Sequence, residues 1–139
     1  MSYHKKLATQ INNLLNTLCL RFPNDKNLAL CLTGIETLKN HNLRKISEFY
    51  ISKIYLRKTK NNKTFPQLIS ARDSTFFLEN IFAEELDISQ LDLDPIITTL
   101  RKHWYDLTED EQSNIWMYFD VLNRLTEKHL KETLKRNNY

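Results

Sequence analysis

Hydrophobic positions in this chain recur with the period of an α-helix along most of its length. Over residues 3–22 the apolar positions are Leu7, Ile11, Leu14, Leu15, Leu18 and Phe22. Their steps of four, three, one, three and four place them on one stripe of a helix. Pro23-Asn24-Asp25 ends that pattern, and Asn24 or Asp25 is placed to cap a second helix carrying Leu28, Cys31, Leu32, Ile35 and Leu38. Asn40-His41-Asn42 breaks the second pattern, and a third stripe follows with Leu43, Ile46, Phe49, Tyr50 and Ile54. Short connectors between amphipathic helices predict antiparallel packing of neighbours.

The periodicity lapses over residues 57–64, a polar basic stretch without an acid, which reads as a lobe boundary or a mobile loop. Pro66 follows, and residues 67–72 predict a short turn of helix. A further short helix is expected over residues 75–82, with Phe76, Phe77 and Phe82 apolar. Asp94-Pro95 is a strong helix start, Asp as cap and Pro at the first helical position, for a helix bearing Ile96, Ile97, Leu100 and Trp104. Thr108-Glu109-Asp110-Glu111 has the form of a capping box and opens the longest predicted helix, to about Arg136. Over residues 115–122 that helix is apolar nearly all round, which predicts a place mid-core or in an interface between chains.

Composition supports helices over strands. Glycine occurs once, at Gly34, and proline only three times, whereas β-rich and α/β folds draw on both at turns and bulges. The predicted fold is therefore all-α, a compact bundle of five to seven helices. Residues 1–56 form a basic three-helix part, 57–66 a basic linker, and 67–139 an acidic helical part with a long terminal helix. These parts pack either as one domain or as two small lobes. A chain of 139 residues buries roughly two-thirds of its unfolded surface, enough for a core without staples.

Charge changes the picture more than composition does. Residues 1–72 hold thirteen Lys/Arg against three Asp/Glu, and residues 73–139 hold seven against fourteen. So strong a split points to a partner surface, or to two halves held together by their fields. Lys5, Lys6, Arg44, Lys45, Arg57, Lys58, Lys60 and Lys63 are the candidate contacts to phosphate or to an acidic partner. Arg124, Lys128, Lys131 and Lys135 follow at i, i+4, i+7 and i+11, a single helical stripe. Glu127 with Lys131 and Glu132 with Arg136 are also ordinary i,i+4 pairs of a solvated helix.

Catalytic and metal-binding patterns are weak. Cys19, Cys31, His4 and His41 lack the paired close spacing of a zinc site, and the two cysteines read as buried reduced thiols. Asp92-x-Asp94 lacks the turn glycine and closing Glu of a calcium loop. A Gly-rich phosphate cradle, a GxSxG elbow and an HExxH motif are all missing. The expectation is a protein that is not an enzyme and takes no cofactor and no metal. The N-terminal residues do not read as a signal peptide, and no apolar run approaches the ~20 residues that span a bilayer, so a cytoplasmic protein without a membrane partner is expected.

Aromatic residues are concentrated in the second half. Trp104, Trp116, Met117, Tyr118 and Phe119 are the candidate protein interface, because Trp and Tyr are enriched where partners bind most tightly. The run Asp73-Ser-Thr-Phe-Phe-Leu-Glu, then Trp104-Tyr-Asp-Leu-Thr-Glu-Asp-Glu-Gln, then Ile115-Trp-Met-Tyr-Phe-Asp-Val-Leu resembles a pattern in uncharacterised helical proteins of large (nucleocytoplasmic) DNA viruses. The resemblance covers about the C-terminal half, brings no catalytic residues, and implies a setting in the host cytoplasm or the virion. The leading expectation is a viral helical interaction or structural protein acting through protein contacts or self-association. The alternative is a nucleic-acid-associated accessory protein using the basic N-terminal half.

Overall fold

Helix α1 runs Tyr3–Arg21, opened by Ser2, whose hydroxyl accepts from the Lys5 amide at 3.3 Å. In this computed structural model, residues 2–57, 63–74 and 94–137 are described. The predicted helix over 75–82, with Phe76, Phe77 and Phe82, and the Asp92 position lie outside them, as do Lys58 and Lys60. The other α-helices are α2 (Lys26–His41), α3 (Leu43–Tyr50), α4 (Phe65–Ser70), α5 (Asp94–His103) and α6 (Glu109–Asn137). The architecture is an all-α bundle with no strand among the described residues.

Each helix begins and ends for a local reason. The Asp25 carboxylate accepts from the Asn27 and Leu28 amides at 3.0 and 3.2 Å, so Asp25 rather than Asn24 caps α2. The same carboxylate accepts from the buried Thr99 hydroxyl at 3.2 Å, tying the start of α2 to α5. Asn42 both ends α2 and caps α3. The helix after Asn42 is not uniform: past Tyr50 it widens into a π-helical turn, Ile51–Tyr55. That turn keeps Ile54 buried. Phe65 and Pro66, read from sequence as the end of the linker, are the first turn of α4, and Thr64 and Gln67 close a capping box there.

Helix α4 ends with a Schellman motif. The Asp73 amide donates to the Leu68 carbonyl at 2.8 Å, and the Arg72 amide to the Ile69 carbonyl at 3.0 Å. Arg72 therefore sits at φ 54°, where glycine is usual. Its guanidinium lies over the Trp116 ring and pairs with Asp120 at 2.7 Å, contacts that glycine could not make.

Trp104 also departs from the sequence expectation, since α5 stops at His103 and residues Trp104–Asp106 form a 3₁₀ turn. The turn carries the chain into the Thr108 cap of α6. There the Thr108 amide donates to Glu111 Oε1 at 3.0 Å and the Glu111 amide to Thr108 Oγ1 at 3.1 Å, the predicted reciprocal box.

The core is one cluster of buried side chains running from Leu7 to Leu122. Helix α1 is its spine, packing on α2, α3 and α6. Contacts at Tyr3–Thr126, Thr17–Tyr118 and Arg21–Glu111 show that α1 and α6 are antiparallel. Arg21 to Glu111 at 2.8 Å and Arg72 to Asp120 join the basic first half to the acidic second half. Both pairs are partly exposed and contribute little to stability. They orient the helices more than they hold them.

Candidate anion-binding face

The antiparallel α1–α6 pair decides which charges meet. It sets the N-terminus of α1 beside the C-terminal half of α6, and α3 packs against the same end of α1. The three helices meet there at one junction built from Tyr3, His4, Ser47 and His129.

Five side chains lock that junction. The Tyr3 ring stacks on His129, centroids 4.1 Å apart and 11° from parallel. The Thr126 hydroxyl donates its proton to the Leu122 carbonyl at 2.9 Å, so the Tyr3 hydroxyl is the donor in its 2.8 Å bond to Thr126 Oγ1. Burial pushes the Tyr3 phenol up to about 12, against the easing effect of the Thr126 bond. His4 Nδ1 lies 2.8 Å from Ser47 Oγ, and its ring meets His129 edge-on at 5.3 Å. Desolvation, with His129 and Arg44 acting in the same direction, holds the His4 imidazole below its ordinary pKa, and Glu48 opposes them.

A groove lies along each of the two helices that α1 joins there. The first, about 410 Å³, is lined along α3 by Asn42, Arg44, Lys45, Glu48, Phe49, Ser52 and Lys53. The second, about 420 Å³, runs along the outer side of α6 between Arg124, Glu127, Lys128, Lys131, Glu132 and Lys135. Arg44 of the first groove is within electrostatic reach of His4. Lys131 bonds Glu127 at 2.9 Å, which raises its pKa and keeps it cationic. Arg124, Lys128, Lys131 and Lys135 are all exposed. Their stripe runs from Arg124 to Lys135, about 16 Å of helix. This is a broad, shallow, cationic face suited to a polyanion. Among the described residues, no three His, Cys, Asp or Glu side chains converge as a metal ion would require.

The residues singled out from sequence are divided by the structure. Lys5, Lys6 and Arg44 are exposed and Lys45 half-buried, all at or beside the junction. Arg57 and Lys63 flank the segment holding Lys58 and Lys60, outside the described residues. The candidate protein interface does not assemble as a surface. Trp104, Trp116 and Phe119 are core residues, at 4%, 8% and 1% exposure, and Tyr118 packs partly against them. The two Trp rings meet edge to face at 5.1 Å, and Phe119 meets Phe65 the same way at 5.1 Å. Only Met117 of the five is exposed, at 58%, with Val121 one turn further along. Of the two cysteines expected in the interior, Cys31 is buried and Cys19 half-buried. Burial, with Asp25 and Glu36 nearby, pushes the Cys19 thiol up.

Sequence reasoning missed Tyr3, Ser47 and His129 as a unit. His4 was weighed only as a metal ligand. The available signal was the polar residues on otherwise apolar faces, Ser47 beside Ile46 and Thr126 beside Leu125, both fully buried here.

The chain matches no protein-family model, no curated protein and no solved structure. No helix among the described residues is long and apolar enough to cross a membrane.

Proposed function

We propose that this chain is a non-enzymatic helical interaction protein whose basic face binds the phosphate backbone of nucleic acid. The single observation that carries the reading is the pair of cation-lined grooves, one along α3 and one along α6, the two helices that the Tyr3–Thr126 and His4–Ser47 bonds join to the start of α1. Phosphate contacts of this kind give affinity without sequence readout, because Lys and Arg on a convex helical face reach the backbone and not the base edges. The exposed aromatic that stacking on single strands would use is lacking from the two grooves, where Phe49 is the one aromatic and is 7% exposed. That favours duplex. The resemblance of the C-terminal half to helical proteins of large DNA viruses supports a setting in the host cytoplasm or the virion, where a long polyanion is at hand.

The test is fluorescence anisotropy of a labelled mixed-sequence DNA duplex across a salt series. With about four phosphates neutralised, log K should fall with log salt at a slope near −3.6. Lys128→Glu with Lys135→Glu should flatten the slope and weaken binding. A duplex that does not bind at low salt removes the reading.

A second reading, protein contact, has one observation in its favour. Met117 and Val121 lie one turn apart on the outer side of α6, exposed to 58% and 38%, the remnant of the apolar strip read from sequence. It expects self-association that Met117→Lys abolishes and salt leaves untouched, read by sedimentation at rising concentration.

A further inference from the structure

Helix α6 turns a second face to solvent, away from the side that buries Ile115, Trp116, Phe119 and Leu122. Residues 110, 114, 117, 121, 124, 128, 131 and 135 follow at steps of four and three, the spacing of a seam between paired helices, and all are exposed. Charge is sorted along that seam. Asp110 and Asn114 come first, Met117 and Val121 lie at the centre, and cations hold the rest from Arg124 onward. Such an order is complementary to its own reverse. Laid antiparallel on a second α6, about a two-fold axis level with residue 119, Met117 meets Val121 of the second copy, Arg124 meets Asn114, and Lys128 meets Asp110. A parallel pair would instead set four cations against their own copies. Sliding the antiparallel pair by one heptad brings Met117 and Val121 against Asn114 and Asp110, or against Lys128 and Arg124. Neither slide places apolar on apolar. Asp120 comes near its own copy beside the axis, and Arg72 already pairs with it at 2.7 Å.

We propose that a second copy of this chain docks on this face, α6 antiparallel to α6 in the register that sets Met117 on Val121 and Lys128 on Asp110. The inference rests on the protein-contact reading above and supplies its partner, orientation and register. The overlap spans residues 110–128, about 27 Å of helix. That is small for a permanent dimer, so the association is transient and rises with concentration. Met117 and Val121 supply the affinity, and the exposed Lys128–Asp110 contacts at the two ends select the register. The pairing takes up Arg124 and Lys128 and leaves Lys131 and Lys135 beyond the overlap.

A charge swap across the seam decides it, read by sedimentation over a concentration series at low salt. Asp110→Lys alone, or Lys128→Glu alone, sets like charges together at both ends by symmetry. Each should weaken self-association by about tenfold. An equimolar mixture of the two variants restores opposite charges at both ends and should associate about as tightly as the wild type. The chain carrying both substitutions should do the same. Added salt should bring the single variants back toward the wild type, since it screens the repulsion. Wild-type self-association with a mixture no tighter than its components overturns the register and leaves the contact reading intact. A wild-type chain that stays monomeric at every concentration overturns both. Should a substitution unfold the chain, an isotope-mixed wild-type sample returns the answer. A nuclear Overhauser contact from the Met117 methyl of one copy to Val121 of the other supports the register, and its absence in an associated sample overturns it.

Discussion

Tyr50 shows how much a single polar pair matters inside this bundle. Its ring is 1% exposed, and its hydroxyl donates to Asn123 Oδ1 at 2.6 Å. Asn123 Nδ2 is buried without a partner, so the Asn123 side chain depends on that one bond. Tyr50→Phe leaves the Asn123 amide with neither group paired and should cost about 1–3 kcal/mol, read from urea unfolding midpoints. Adding Asn123→Leu should recover most of the loss, because two apolar partners need no bond. His4 carries the pH dependence at this scale. Its pKa is depressed in the folded chain, so its contribution to stability is present above the ordinary histidine value of about 6.5 and is lost as pH falls through the depressed value. Thermal midpoints without nucleic acid should therefore drop below about pH 6.5, and His4→Gln should lessen that drop.

At the scale of elements, the caps determine where helices start, and most of them could be read from residue order alone. Thr108 shows why. Its hydroxyl and the Glu111 carboxylate satisfy each other's backbone amides at the head of a 29-residue helix. Thr108→Ala should destabilise the chain by about 1 kcal/mol, measured by circular dichroism melts. Glu111 is held below the usual carboxylate range first by the Thr108 amide and then by Arg21. Its share of stability is present above the unfolded glutamate value and disappears as pH falls through the lowered one. The π-helical turn after Tyr50 was not legible, because a one-residue widening leaves the apolar spacing of Ile46, Phe49, Tyr50 and Ile54 nearly unchanged. Arg72 at positive φ was hidden for a related reason. Its side-chain contacts to Trp116 and Asp120 come from a helix 48 residues away at the bonded pair, which no local pattern reports. The aromatic strip of α6 was legible as apolar but not as inward. Residues 115, 116, 119 and 122 cover one side of a helix and 117 and 121 the other, and only the position of α1 decides which side is covered.

On the scale of the whole molecule, the antiparallel α1–α6 pair converts a split of charge along the sequence into a different split in space. The sequence divides near residue 72 into basic and acidic halves, yet Arg124, Lys128, Lys131 and Lys135 of the acidic half lie toward the end of the bundle where α1 starts with Lys5 and Lys6 of the basic one. The opposite end holds Asp106, Glu109, Asp110 and Glu111, with Arg21 drawn to them. Among the described residues the charge is therefore divided lengthwise, and a duplex should approach from the His4 end. That makes position more telling than charge count. Reversing Lys128 and Lys135 removes cations at the His4 end, whereas Lys26→Glu with Lys102→Glu changes the net charge equally near the Arg21 end. Both double variants shift the total by the same amount, so a non-specific attraction to net charge should weaken binding alike in each. The oriented face expects the first pair to cost at least tenfold at low salt and the second only a small long-range effect, since screening confines exposed charges to about 10 Å at 0.1 M salt. Equal losses in duplex anisotropy would place the interaction in the overall charge and not in this face.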